Sequence, residues 1–124
     1  MYSFSVDDVV LLHERSIFDY ELQGIAGDKS LELVLARVEN RMHFGMINDV
    51  YDLAACYAVC LATGHVFNDA NKRTAYSALK ICLDIHGVKM TFNTQEIGDK
   101  IRQVAQGMVD EIELAKWLRQ QSLK

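Results

Sequence analysis

The sequence predicts an all-α fold, a single compact domain over residues 1–124 with about six helices around one buried central helix. Three observations carry that prediction. The 124 residues include no proline, so helices can run without forced kinks, and the breaks must come from glycine, asparagine and aspartate. Apolar residues recur at helical spacing in successive stretches separated by such breaks. One of these stretches, from Leu53 to Ala62, carries no charge, and a helix that is apolar on every side is buried on every side. Half of the residues are apolar, which suits a compact globule with a real core and excludes a disordered chain.

The elements follow in order. Ser5, Asp7 and Asp8 form a capping start, and Val6, Val9, Val10, His13 and Ile17 follow at helical spacing, predicting a first helix over 5–19. His13 lies on or beside its apolar face and reads as a packed or surface histidine. Residues 20–29 carry Gly24 and Gly27 without a helical period and read as a loop; loops of this kind on a rigid helical body often carry binding function. Leu31, Leu33, Val34, Val38 and Met42 predict a second helix over 30–43, with Glu32, Arg37, Glu39, Asn40 and Arg41 on its solvated sides. Asn48 and Asp49 can cap the central helix over 49–63, and Gly64 suits its C-terminal cap.

A fourth helix is predicted over 71–86, apolar along Ala75, Ala78, Leu79, Cys82, Leu83 and Ile85 and stopped by Gly87. Residues 88–92 alternate apolar and polar, which predicts a short extended piece. Thr94 is the expected cap of a fifth helix through Ile97, Ile101, Val104 and Ala105, closed near Gly107. Asp110 and Glu113 make a capping-box start for a sixth, with Ile112, Ala115, Trp117 and Leu118. Lys116, Arg119 and Lys124 toward its end complement the helix dipole.

Composition narrows the function classes. A net charge of −4 argues against a general nucleic-acid binder, which would present a basic face, so no direct nucleic-acid contact is expected. The first residues lack the basic and apolar regions of a signal peptide. The longest uncharged run, 53–68, is too short and too broken by Gly64 and His65 to span a bilayer, so a cytoplasmic protein without membrane contact is expected. Cys56, Cys60 and Cys82 are odd in number and offer no C-x-x-C pair, which fits buried free thiols and not a metal site.

The chemistry concentrates in residues 65–73: His65, Val66, Phe67, Asn68, Asp69, Ala70, Asn71, Lys72 and Arg73. They sit between the most apolar helix and the start of the next, where unpaired N–H groups and the helix dipole attract phosphate. An imidazole is suited to serve as a general base at neutral pH. Asp69 is a hard oxygen ligand of the kind that holds Mg²⁺ carrying a nucleotide's phosphates. Asn71 can bond phosphate oxygens or cap the following helix, and Lys72 and Arg73 can neutralise charge on a transferring group. Phe67 is expected to turn inward and anchor the loop. These are parts for phosphoryl or nucleotidyl transfer.

The ordered string resembles the signature of the Fic/Doc family, H-x-F-x-[D/E]-[A/G]-N-[G/K]-R, with His65, Phe67, Asp69, Ala70, Asn71, Lys72 and Arg73 all matching. The helix order, the short length and the glycine-bearing loop before the second helix resemble its Doc (death-on-curing) branch. The resemblance implies an enzyme that uses ATP and Mg²⁺ to modify a protein hydroxyl. It implies a catalytic set of His65 as base, Asp69 as metal ligand and Arg73, with Asn68, Asn71, Lys72 and Arg73 holding the nucleotide. Loop 20–29 would be the family's flap, which positions the target segment.

Two positions depart from the AMP-transferring pattern. Lys72 stands where those enzymes have glycine, and Tyr76 where they have a second arginine. Both departures are features of the Doc branch. They imply a toxin of a toxin–antitoxin pair that acts as a protein kinase, moving the ATP γ-phosphate to elongation factor Tu and inhibiting translation. The S/T-x-x-x-E-[G/N] pattern of the family's inhibitory helix does not occur in the sequence, which implies an antitoxin partner, Phd-like and largely disordered until bound. The alternatives are AMP transfer to a protein hydroxyl, a non-catalytic binding module on the same fold, and, disfavoured by charge, a DNA-binding regulator.

Overall fold

The computed structural model describes residues 1–90 and 92–122. Six helices follow in order: α1 (Val6–Ser16), α2 (Leu31–His43), α3 (Val50–Gly64), α4 (Asn71–Ile85), α5 (Thr94–Ala105) and α6 (Glu111–Ser122). Among the described residues there is no strand, only an isolated antiparallel bridge between Ile25 and Phe67. The all-α reading therefore stands.

The uncharged stretch forms the centre. In α3 Leu53, Ala54, Ala55, Cys56, Tyr57, Ala58, Cys60, Leu61 and Ala62 are all buried. Around it pack α2, α4, α5 and α6, while α1 lies against α4 and α2. Alanines set the spacing: Ala54, Ala55 and Ala58 of α3 and Ala75 and Ala78 of α4 are fully buried, so these two backbones approach closely. Leucines fill the remainder, with Leu31, Leu53, Leu61, Leu79, Leu83, Leu114 and Leu118 fully buried. Each contributes about 1.5–3 kcal/mol by leaving water.

The helix ends show which sequence signals operate. Ser5 caps α1 in a capping box: its Oγ accepts from the Asp8 N–H at 3.1 Å, and Asp8 Oδ2 accepts from the Ser5 N–H at 2.9 Å. The helix stops at Ser16, short of the expected Asp19, and Ile17 is extended at φ −91°, ψ 144°. At that turn the Ser16 carbonyl accepts from Arg73 Nη1 at 2.7 Å and Ser16 Oγ donates back to the Leu12 carbonyl at 2.7 Å, so local and tertiary bonds replace a further turn.

Gly64 is not the cap of α3. It is the last helical residue, and a Cβ placed on it would stand 3.1 Å from Val34 Cγ2. Glycine is used there for its size, letting the end of α3 meet α2. The reversal falls to His65, at φ 50°, ψ 39°.

Gly87 closes α4 as expected, with φ 80°, its N–H bonded to the Asp84 carbonyl and the Val88 N–H to the Leu83 carbonyl. The expected extended piece over 88–92 forms no strand in its described residues, and Thr91 lies outside them. The cap of α5 is Asn93 and not Thr94: Asn93 Oδ1 accepts from the N–H groups of Gln95 and Glu96 at 2.9 and 3.1 Å. The Asp110–Glu113 box opens α6, with the Glu113 N–H on Asp110 Oδ1 at 2.8 Å. Arg119 ties α6 to the start of α3 through both oxygens of Asp49, at 2.9 and 3.1 Å, and through Asp52. Lys124, expected to complement the α6 dipole, lies outside the described residues. Among those residues no helix is long and apolar enough to cross a membrane.

Candidate active site

The segment between α3 and α4 is bracketed by two left-handed residues, His65 and Ala70, the latter at φ 65°, ψ 25°. An L-residue there costs about 1–2 kcal/mol relative to right-handed backbone, so surrounding bonds must hold the shape. Val66 and Phe67 turn inward and are buried, as expected for Phe67. The Phe67 ring stacks on His13 of α1, with centroids 3.8 Å apart and planes 6° apart. His13 Nε2 is 2.9 Å from the Asp69 carbonyl, which only an N–H can satisfy. Asn71 clasps Phe67 from the other side: its Oδ1 accepts from the Phe67 N–H at 3.0 Å and its Nδ2 donates to the Phe67 carbonyl at 2.9 Å.

Loop 20–29 lies along this segment and pairs with it. The Ala26 N–H donates to the Val66 carbonyl at 2.7 Å and the Asn68 N–H to the Gly24 carbonyl at 3.1 Å. Asn68 Nδ2 donates to the Gln23 carbonyl at 2.9 Å, and the Leu22 N–H donates to Asp69 Oδ2 at 2.8 Å. The glycine-bearing loop is thus joined to the chemical segment through main-chain bonds.

Arg73 is engaged on the same side. It donates to the Ser16 carbonyl, pairs with the Glu21 carboxylate and lies 4.7 Å from the centroid of the Phe18 ring. That guanidinium, with the Phe18 N–H, holds the Glu21 carboxyl below its ordinary range, and Glu21 in turn raises Arg73. Lys72 is exposed and forms no ion pair among the described residues.

A cavity of about 630 Å³ opens here, bounded by the end of α3, the first turns of α4 and one face of α5. His65, Asn68, Asp69, Asn71, Lys72 and Arg73 all line it, so every site residue chosen from sequence meets in one place. They do not present themselves alike. Asn71 has both side-chain polar atoms on Phe67, and Arg73 has its guanidinium on the α1–loop side; in this structure both hold the segment's shape. His65 is exposed, and among the described residues no hydrogen bond reaches its ring. Lys72 and Asn68 are exposed as well.

The donor set fits a divalent cation that arrives with phosphate. Among the described residues no group of three or more His, Cys, Asp and Glu side chains could hold a metal alone. Asp69 keeps one oxygen free of hydrogen bonds from described residues, and Mg²⁺ is commonly held by one or two carboxylates together with substrate phosphates. The three cysteines take no part. All are buried and free; burial pushes the Cys82 thiol up to about 12, and the bond to Cys60 together with burial raises Cys56.

Sequence reasoning missed three contributors. His13 reads as a packing residue and does pack, but on the chemical segment itself. Glu21 gave no signal beyond lying in the loop. The α5 wall (Ile97, Gly98, Ile101, Arg102 and Ala105) gave none, because helical periodicity reports a buried face and not what that face adjoins.

The Fic/DOC family model matches residues 3–83. The chain is 33% identical over 120 residues to the "Protein kinase doc" of Escherichia phage P1, covering 96% of this chain and 94% of that protein. With the matching segment placed between the buried helix and α4, and the matched region spanning most of the chain, the protein belongs to the Fic/Doc family.

Proposed function

We propose that the protein is a Doc-type toxin kinase, transferring the γ-phosphate of ATP to a hydroxyl of a target protein in the cytoplasm. The target class is elongation factor Tu, the consequence is inhibited translation, and a Phd-like antitoxin restrains the enzyme. The observation that carries this reading is that His65, Asp69 and Lys72 line one cavity in a chain 33% identical to a protein named as a kinase.

The chemistry is assigned residue by residue. The target hydroxyl oxygen bonds to the γ-phosphorus while the bond from that phosphorus to the β,γ-bridging oxygen breaks. The hydroxyl proton goes to His65 and ADP leaves. Asp69 would hold Mg²⁺, which supplies charge neutralisation on the phosphates when bound. Lys72 meets the phosphates as a mobile point charge. Asn71, His13 and Glu21 keep the segment and Arg73 in place.

Incubation with elongation factor Tu and ATP radiolabelled at either the γ- or the α-phosphate tests the reading. Transfer of γ-label alone is the expected result. Transfer of α-label alone would establish AMP transfer instead, and no transfer of either, with growth inhibition persisting in a His65 variant, would establish a binding module.

A further inference from the structure

We infer that Arg102, on α5 and outside the motif, is a phosphate-contacting residue of this cavity, bracketing a bound nucleoside triphosphate from the wall opposite Lys72. The inference rests on the ATP reading and adds to it a residue that no motif position supplies.

Three cations line the cavity: Lys72, Arg73 and Arg102. Arg73 already serves a carboxylate, a main-chain carbonyl and an aromatic face, which leaves fewer of its donors for a ligand. Lys72 has no ion pair among the described residues. Arg102 has one, with Asp99 one turn back, and the two side chains are 51% and 50% exposed. A pair that open to water is weak, so Arg102 can turn to a multiply charged anion at little cost. Beyond Arg73 the α4 wall offers Tyr76, a phenol and not a cation. The α5 wall is otherwise apolar, through Ile97, Ile101 and Ala105. Lys72 and Arg102 are therefore the cations least committed within the protein, one on α4 and one on α5.

Backbone geometry places the guanidinium. A Cβ on Gly98 would lie 3.6 Å from Arg102 Nη1, so the arginine lies back over the glycine. Gly98 and Arg102 also line a neighbouring cavity of about 470 Å³, together with Asn93 and Gln95. Arg102 thus stands where the two spaces meet. A planar fork of donors at that position suits phosphate oxygens, which it can grip two at a time. An acidic segment of the target protein is the competing occupant.

Calorimetric titration of the whole chain with ATP and with adenosine, in Mg²⁺, separates these. Arg102→Gln is expected to raise the Kd for ATP roughly tenfold, the scale of one lost charge-assisted contact, with adenosine affinity unchanged and Arg102→Lys intermediate. Two results overturn the inference: equal losses for ATP and adenosine, or ATP binding by Arg102→Gln equal to wild type, which together with a raised KM for the protein target would assign Arg102 to the target. Failure of the underlying reading looks different. Wild-type protein would bind no ATP, or would bind it equally well after Asp69→Asn and Lys72→Ala.

Discussion

At His65 the backbone and the chemistry impose separate demands. The residue holds a left-handed conformation and also carries the imidazole. Asparagine tolerates that conformation better than most residues, so His65→Asn removes the base while leaving the turn intact. Its melting temperature should match wild type while phosphate transfer falls by roughly 10²–10⁴-fold; a variant that kept its activity would remove His65 from the reaction. Asn71 calls for the opposite outcome. Its amide clasps the Phe67 main chain through two bonds, so Asn71→Ala should destabilise the fold by about 1–3 kcal/mol in a denaturant titration and lose activity with it. At this scale the motif was legible because its residues are consecutive and their order is specific. His13 and Glu21 were not. They reach Asp69 and Arg73 across 56 and 52 residues of chain, a proximity that only the tertiary fold creates.

The helices were legible in number and order because each carries its own apolar period, and the capping boxes at Ser5 and Asp110 were legible because side-chain type and spacing define them. Boundaries failed where neighbours share a chemistry or one residue has two uses. Asn93 and Thr94 are both good caps, and the local backbone selects Asn93. Gly64 reads as a conformational stop but serves as a small contact surface. That distinction has a measurable consequence. Gly64→Ala should cost about 1–3 kcal/mol by crowding Val34, and the double variant with Val34→Ala should lose less than the sum of the two single changes. Strict additivity in unfolding titrations would show that the contact is not the cause.

Across the whole molecule, Arg119 joins the last helix to the first turn of the central one. Its bond holds the Asp49 carboxyl below its ordinary value of 3.8. A depressed carboxylate contributes stability above that ordinary value and loses it as pH falls through the folded-state value. Glu21 and Asp8 are lowered in the same sense, while burial raises Glu111 and acts in the opposite one. Melting temperature should therefore decline below roughly pH 4. Arg119→Gln should flatten that decline and lower stability at neutral pH by about 1 kcal/mol, a modest figure because the pair is partly exposed. An unchanged acid profile would locate the transition in other groups. That α3 is the central helix could be read from its uncharged stretch, but the far wall of the cavity could not, because nothing local in α5 marks it as facing the motif.

At the start of α4, Ala70 provides no side-chain cap. Thr74 is the first residue of that helix whose N–H bonds back, to the Ala70 carbonyl, and the amides of Asn71, Lys72 and Arg73 have no partner among the described residues. A capping side chain would add about 1 kcal/mol to the helix. Without one, these three amide protons should exchange with deuterated water soon after mixing, in contrast to those of Gln95 and Glu96 beneath the Asn93 cap. Bound ATP should slow the first set and leave the second unchanged, giving the nucleotide a signature in exchange mass spectrometry that is independent of turnover.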